Sequence, residues 1–132
     1  MNLKDSQVIR MIGRWAFGQA EEEGSLDLPD PRALVDVDWD EDEKDFVVDY
    51  LEHGLVRAYL LARSTCRICG VDVSSVQHSD GVFCWPEGLA HYVKEHSVRL
   101  PDVIVEEFKQ QRYRLEDAEV DYQWWKAVTT GE

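Results

Sequence analysis

Apolar side chains recur along this chain at two different periods, and the changes between them set the order of predicted elements. Over residues 6–20, Val8, Ile9, Ile12, Trp15 and Ala16 fall on one helical face, with Arg10 and Arg14 opposite and Asp5 or Ser6 placed to cap it. Glu21–Pro31, with Gly24, Ser25, Pro29 and Pro31, reads as an acidic connector. Ala33–Trp39 reads as a short extended piece. Asp40 then caps a helix whose apolar face is Phe46, Val47, Tyr50 and Leu51, and Gly54 stops it. From Leu55 to Arg63 the aliphatic residues alternate, which predicts a strand leading to Cys66. Ser79-Asp80-Gly81 is a turn signal, and Val82–Trp85 a short strand after it. Pro86 suits the first position of a helix with Leu89, Tyr92 and Val93 on its apolar side. Pro101-Asp102 opens another, with Ile104, Val105 and Phe108 inward, and a last helix over Glu116–Val128 buries Val120, Trp124 and Val128.

These elements predict one α+β domain over 1–132, with helices packed around a small antiparallel sheet and a zinc-knuckle or finger-like element. Its parts are an acidic helical segment 1–54, a finger-like module 55–101 and C-terminal helices 102–128. A length of 132 residues is enough to bury a core, and the 44% apolar content with five Trp argues against disorder. No run approaches the roughly 18 apolar residues of a membrane span, and the start Met1-Asn2-Leu3-Lys4-Asp5 lacks the apolar stretch of a secretory signal. A soluble cytoplasmic protein is expected.

The net charge of −13 is regional. Residues 21–54 hold fourteen acids against Arg32 and Lys44, so this third of the chain carries −12. Such a field repels nucleic acid and anionic lipid and attracts a basic protein. Its expected centre is Asp38, Trp39, Asp40, Glu41, Asp42 and Asp45, because an aromatic among carboxylates supplies the desolvated anchor that charges alone lack. A plain solvated surface, with Trp39 simply buried, is the competing reading.

The most specific chemistry is Cys66-x2-Cys69, then twenty-one residues, then His91-x4-His96. Three cysteines, two of them in Cys-x2-Cys, fit a metal site better than a disulfide framework. Gly70 lets the backbone turn sharply behind the thiolates, and a soft S2N2 donor set suits tetrahedral Zn2+. The expected ligands are Cys66, Cys69, His91 and His96. Cys84 is the alternative to His96 and is assigned to the core, while His53 and His78 are expected at the surface. The order of strand, knuckle, hairpin and His-bearing helix resembles a Cys2His2 finger, whose Cys and His pairs are usually separated by about twelve residues.

Cys66-Arg-Ile-Cys-Gly70, Trp85-Pro-Glu-Gly-Leu-Ala-His91-Tyr-Val-Lys-Glu-His96 and Val98-Arg-Leu-Pro101 resemble a family of small bacterial proteins with this zinc-finger-like signature. The likeness covers residues 66–101, and the Trp124-Trp125 pair is similar too. It implies no activity. It does imply that the two Cys and two His share one site.

Enzyme signatures fit poorly. His91-x3-Glu95-His96 is one residue too long for an inverted zinc protease and lacks the His-Glu-x2-His order of the common metalloproteases. Cys-x2-Cys precedes the His pair, the reverse of a deaminase, and no phosphate-cradling Gly loop is present. A metal-dependent hydrolase therefore ranks low, and a non-enzymatic protein is expected. One reading is a zinc-braced acidic protein that occludes a basic protein partner, as bacterial immunity proteins, antitoxins and nucleic-acid mimics do. The other is a zinc-finger nucleic-acid-binding or adaptor module, which residues 55–114 support weakly with eight bases against seven acids.

Overall fold

The computed structural model describes residues 8–15, 28–59, 64–73 and 76–131. Residues 1–101 form one compact unit and residues 102–132 another. The protein is α+β. The first unit contains β1 (Arg10–Met11), a 3-10 turn at Pro31–Leu34, α1 (Glu41–Glu52), β2 (Leu55–Tyr59), β3 (Ser64–Thr65), β4 (Asp72–Val73), β5 (Val76–Ser79), β6 (Phe83–Pro86) and α2 (Leu89–His96). The second contains α3 (Asp102–Asp117) and α4 (Tyr122–Thr130).

Four strands form a sheet in the order β1-β6-β5-β2, and β3 pairs with β4 separately. The larger sheet is mixed rather than antiparallel, because β1 runs parallel to β6 with Arg10 opposite Phe83 and Met11 opposite Cys84. No hairpin joins those two strands, so no turn dictates their sense. The helix expected over 6–20 is absent at its described positions, 8–15, and residues 6–7 and 16–20 lie outside them. Ile12 N donates to Cys84 O at 2.8 Å, and Gly13 turns the chain at φ +78°. Sheet pairing overrides the helical spacing here.

The expected α1 is present from end to end. Asp40 Oδ2 accepts from Glu43 N at 2.9 Å, and Val47, Tyr50 and Leu51 are buried. The Tyr50 ring lies 6.3 Å from that of Trp85, whose indole N–H donates to Leu51 O at 3.2 Å. The core continues through Leu89 and Val93 of α2, which packs on α1. At the β5–β6 turn Asp80 Oδ1 accepts from Val82 N and Phe83 N, and Tyr50 donates to Asp80 Oδ2 at 2.6 Å. Pro86 closes β6 instead of opening α2, whose N-cap is Gly88. The expected strand to Arg63 is described as far as Tyr59.

In the second unit, Val105 and Phe108 of α3 are buried, as their spacing predicts. The burial expected on the last helix is not found: Val120, Trp124 and Val128 are 67%, 62% and 54% exposed. Asp121 Oδ1 caps α4 through Gln123 N and Trp124 N, and Gly131 ends it at φ +78°. No helix among the described residues is long and apolar enough to cross a membrane.

Candidate metal centre

Cys66 follows β3 directly, and a tight turn brings Cys69 back toward it. Cys66 N donates to Val71 O and Gly70 N to Cys66 O, both at 2.8 Å, with Gly70 at φ +78°. That conformation favours glycine, as the sequence anticipated. Ile68 N donates to Cys66 Sγ at 3.4 Å, so a backbone N–H faces the sulfur. Cys66 is 2% exposed, in a small core cluster with Tyr92 and Val98, while Cys69 is at the surface.

The two histidines come from opposite ends of one short helix. Residues five apart are rotated by about 140° on an ideal helix, so the rings meet only if the helix ends there. Ser97 ends it in the left-handed region at φ 53°, its N–H donating to Val93 O at 3.1 Å. Two contacts hold Ser97. Lys44 Nζ donates to its hydroxyl at 3.0 Å, and Asp36 N donates to its carbonyl at 3.0 Å. Val35 and Val98 form a bridge beside them. Tyr92, between the two ligands in sequence, accepts from Arg67 N at 2.8 Å and so ties the helix to the knuckle. Burial pushes the Tyr92 hydroxyl above its usual pKa, partly opposed by that N–H.

One donor atom from each of Cys66, Cys69, His91 and His96 lies within 4.8 Å of every other. Cys69 Sγ and His91 Nε2 are 3.4 Å apart, and the two imidazole centroids 5.2 Å. Zinc bonds of about 2.0–2.3 Å imply donor separations of roughly 3.3–3.8 Å in a tetrahedron. The set is therefore slightly wider than a filled site needs and already converges on one point. His96 Nε2 is buried with no partner. A buried polar atom in that state is costly, and a metal ion would satisfy it. Burial also lowers the His96 pKa, His91 adding to the effect and Glu95 opposing it, which favours the neutral imidazole that ligates. The four residues can hold a metal ion, and two thiolates with two imidazoles are compatible with zinc.

The alternative ligand does not join them. Cys84 lies in β6 opposite Met11 and Ser79, 6% exposed and outside the cluster. His53 is exposed, but His78 is only 7% exposed, which corrects its expected surface position. It sits on β5 between two strands, and its Nε2 is 3.1 Å from Glu87 Oε2.

The expected partner surface divides. Asp38, Asp40, Glu41, Asp42 and Asp45 are exposed. Trp39 is 3% exposed, so it cannot anchor a partner. Its indole N–H donates to Glu43 at 2.8 Å, and the Arg99 guanidinium lies 5.9 Å from its ring centroid. Asp40 is occupied as the cap of α1. Sequence reasoning missed the residues that position the ligands, Lys44, Tyr92 and Ser97. Only the Ser97–Pro101 break after the His-bearing helix signalled one of them. Comparison of the chain with protein-family models, curated proteins and solved structures finds no match.

Proposed function

We propose that this chain is a non-enzymatic, zinc-braced binding protein whose acidic α1 face engages a basic protein partner. The convergence of four protein ligands on one point carries the first half of the reading. A site closed by four protein donors leaves no position for substrate, so its zinc supports the fold. An immunity-type or antitoxin-type inhibitor, or a nucleic-acid mimic, is the class this describes.

The position of charge on α1 supports the second half. Glu41, Asp42 and Glu43 occupy the first turn, where carboxylates favour the helix dipole and need no further reason. Glu52 does not fit that explanation. It lies near the C-terminal end, where negative charge is unfavourable, and the last turn holds no Lys or Arg. Asp49 has a local partner there, with His53 Nδ1 3.3 Å from its Oδ1. With Asp45 and Lys44 the two acids line a groove that reaches Lys94 of α2. An acid held where it costs the helix points to a use outside it.

The test keeps Asp40, which the helix needs, and changes Glu41, Asp42 and Asp45 to their amides. The tagged wild-type chain should recover a basic protein from its native host. The triple variant should then capture that purified protein about tenfold more slowly at low salt, with zinc content unchanged and stability lowered by no more than the roughly 1–2 kcal/mol that the two first-turn carboxylates give the helix dipole. Equal capture rates would reduce the acidic face to a solvated surface. Recovery of nucleic acid in place of protein would favour the finger-type reader.

A further inference from the structure

The last helix of the second unit carries an aromatic face that is left exposed. On an ideal helix Trp124, Val128, Trp125, Thr129 and Tyr122 fall within one arc of about 160°. All five are exposed, Tyr122 by 80%, Trp125 by 68% and Trp124 by 62%. Ala127, on the opposite side, is the one half-buried residue of α4. The helix is nine residues long, and α3 does not pack along it. Isolated helices shorter than about 12 residues are marginal in water, so α4 gains from a partner that covers this arc.

Charge narrows the choice of partner. The chain has 27 acids against 14 Lys and Arg, yet residues 122–131 contain no acid and a single base, Lys126. The arc itself is uncharged. A basic protein finds no carboxylate on it, and the acidity of the whole chain opposes an anionic lipid surface. An uncharged aromatic arc fits another of its own kind, and a second copy of the chain supplies one. The area is sufficient. A buried aromatic covers about 150–250 Å2, so at these exposures Tyr122, Trp124 and Trp125 can each withdraw roughly 100–200 Å2 from water. With Val128, two such arcs remove about 1,000 Å2 in total, the lower limit for a specific interface.

We propose that this chain forms a two-fold dimer by antiparallel packing of α4 on α4 of a second copy, with Trp125 at the centre. A contact of this kind uses the same patch on both chains and closes, so assembly stops at two. Centring on Trp125 sets residue 121 of one chain level with residue 129 of the other. Lys126 of each copy then stands within one turn of the other copy's Asp121, about 4.5 Å away along the axis. Parallel packing would instead set the two Lys126 side chains side by side, with like charges. The contact uses no residue of the acidic α1 face.

Sedimentation equilibrium of the full chain, with zinc present, tests this between about 1 and 300 μM. Wild type should pass from monomer to dimer with a Kd on the order of 10 μM, and the Trp124 and Trp125 indole NMR signals should shift over the same range. Trp125→Gln, at an exposed position, should raise Kd by about tenfold or more, with zinc content and melting in dilute solution unchanged. Tyr59→Ser in β2, at a similarly exposed aromatic of the first unit, should leave Kd at its wild-type value. A wild type that stays monomeric throughout would overturn the proposal, and so would a Trp125→Gln dimer as tight as wild type. Loss of the dimer in Tyr59→Ser would place the contact on the sheet and overturn it as well. Assembly beyond two copies, or monomers that bind phosphatidylcholine vesicles through α4, would do the same.

Discussion

Replacing Cys66 with serine tests whether the metal centre holds the first unit together. The change swaps one of four converging donors, a thiolate, for a neutral hydroxyl that zinc binds poorly. A ligand that binds only the folded chain stabilises it by about 4.1 kcal/mol when its free concentration is a thousand times Kd. Loss of the thiolate should remove a contribution of this order. For a unit of about 100 residues that corresponds to roughly 15–30 °C in Tm. A second cost is independent of the metal. Cys66 is buried against Tyr92 and Val98, so the new hydroxyl is desolvated there at about 1–3 kcal/mol. Chelation separates the two. Calorimetric melts of wild type and Cys66→Ser at fixed free zinc should differ by the sum, and in chelator only by the smaller part. Two results would refute the reasoning: a wild type that melts at one temperature with and without zinc, or a serine penalty that chelation leaves unchanged. The second would make Cys66 an ordinary core residue.

Three further outcomes follow from other positions. Cys84→Val should leave zinc content at its wild-type value and shift stability by less than about 1.5 kcal/mol, since it is a near-isosteric swap in β6; loss of metal would make Cys84 a ligand. Gly54→Ala places a Cβ 2.6 Å from Trp85 Cζ2 and should destabilise by about 1–3 kcal/mol, which a denaturant melt would show and an unchanged midpoint would contradict. Asp36 is held below the usual carboxylate range, chiefly by the Arg99 guanidinium at 2.9 Å and then by the Asp38 N–H. Its folded pKa lies below the unfolded one, so its contribution is present above about pH 4 and lost as pH falls through the folded value. The stability gap between wild type and Asp36→Asn should therefore close in acid and narrow with salt, and a gap constant with pH would sink that assignment.

Features that depend on neighbours in the chain were legible in the sequence. Asp40 and the Phe46–Leu51 face define α1 because caps and periodicity act within a few residues, while its C-terminal cap is His53 and not the expected Gly54. The candidate ligands were legible for the same reason. They form two local pairs, one shaped by the turn before Gly70 and the other carried by α2. Periodicity failed where a distant partner decided the outcome. Val8, Ile9, Ile12 and Trp15 have helical spacing, but β6 offers a sheet edge and Arg10–Met11 pairs with it. In one dimension His78 looked available and Trp39 was open to both an anchoring and a buried reading. A central strand buries the first, while the second lies beneath Arg99 and bonded to Glu43. The spacing of Trp124 and Val128 marked an inner face, yet α4 is capped by Asp121 with both side chains left exposed. Only the tertiary structure brings the two ligand pairs within one coordination sphere and leaves Cys84 outside it. Spacing limits which side chains can reach one another, but the packing of separate elements determines which of them meet.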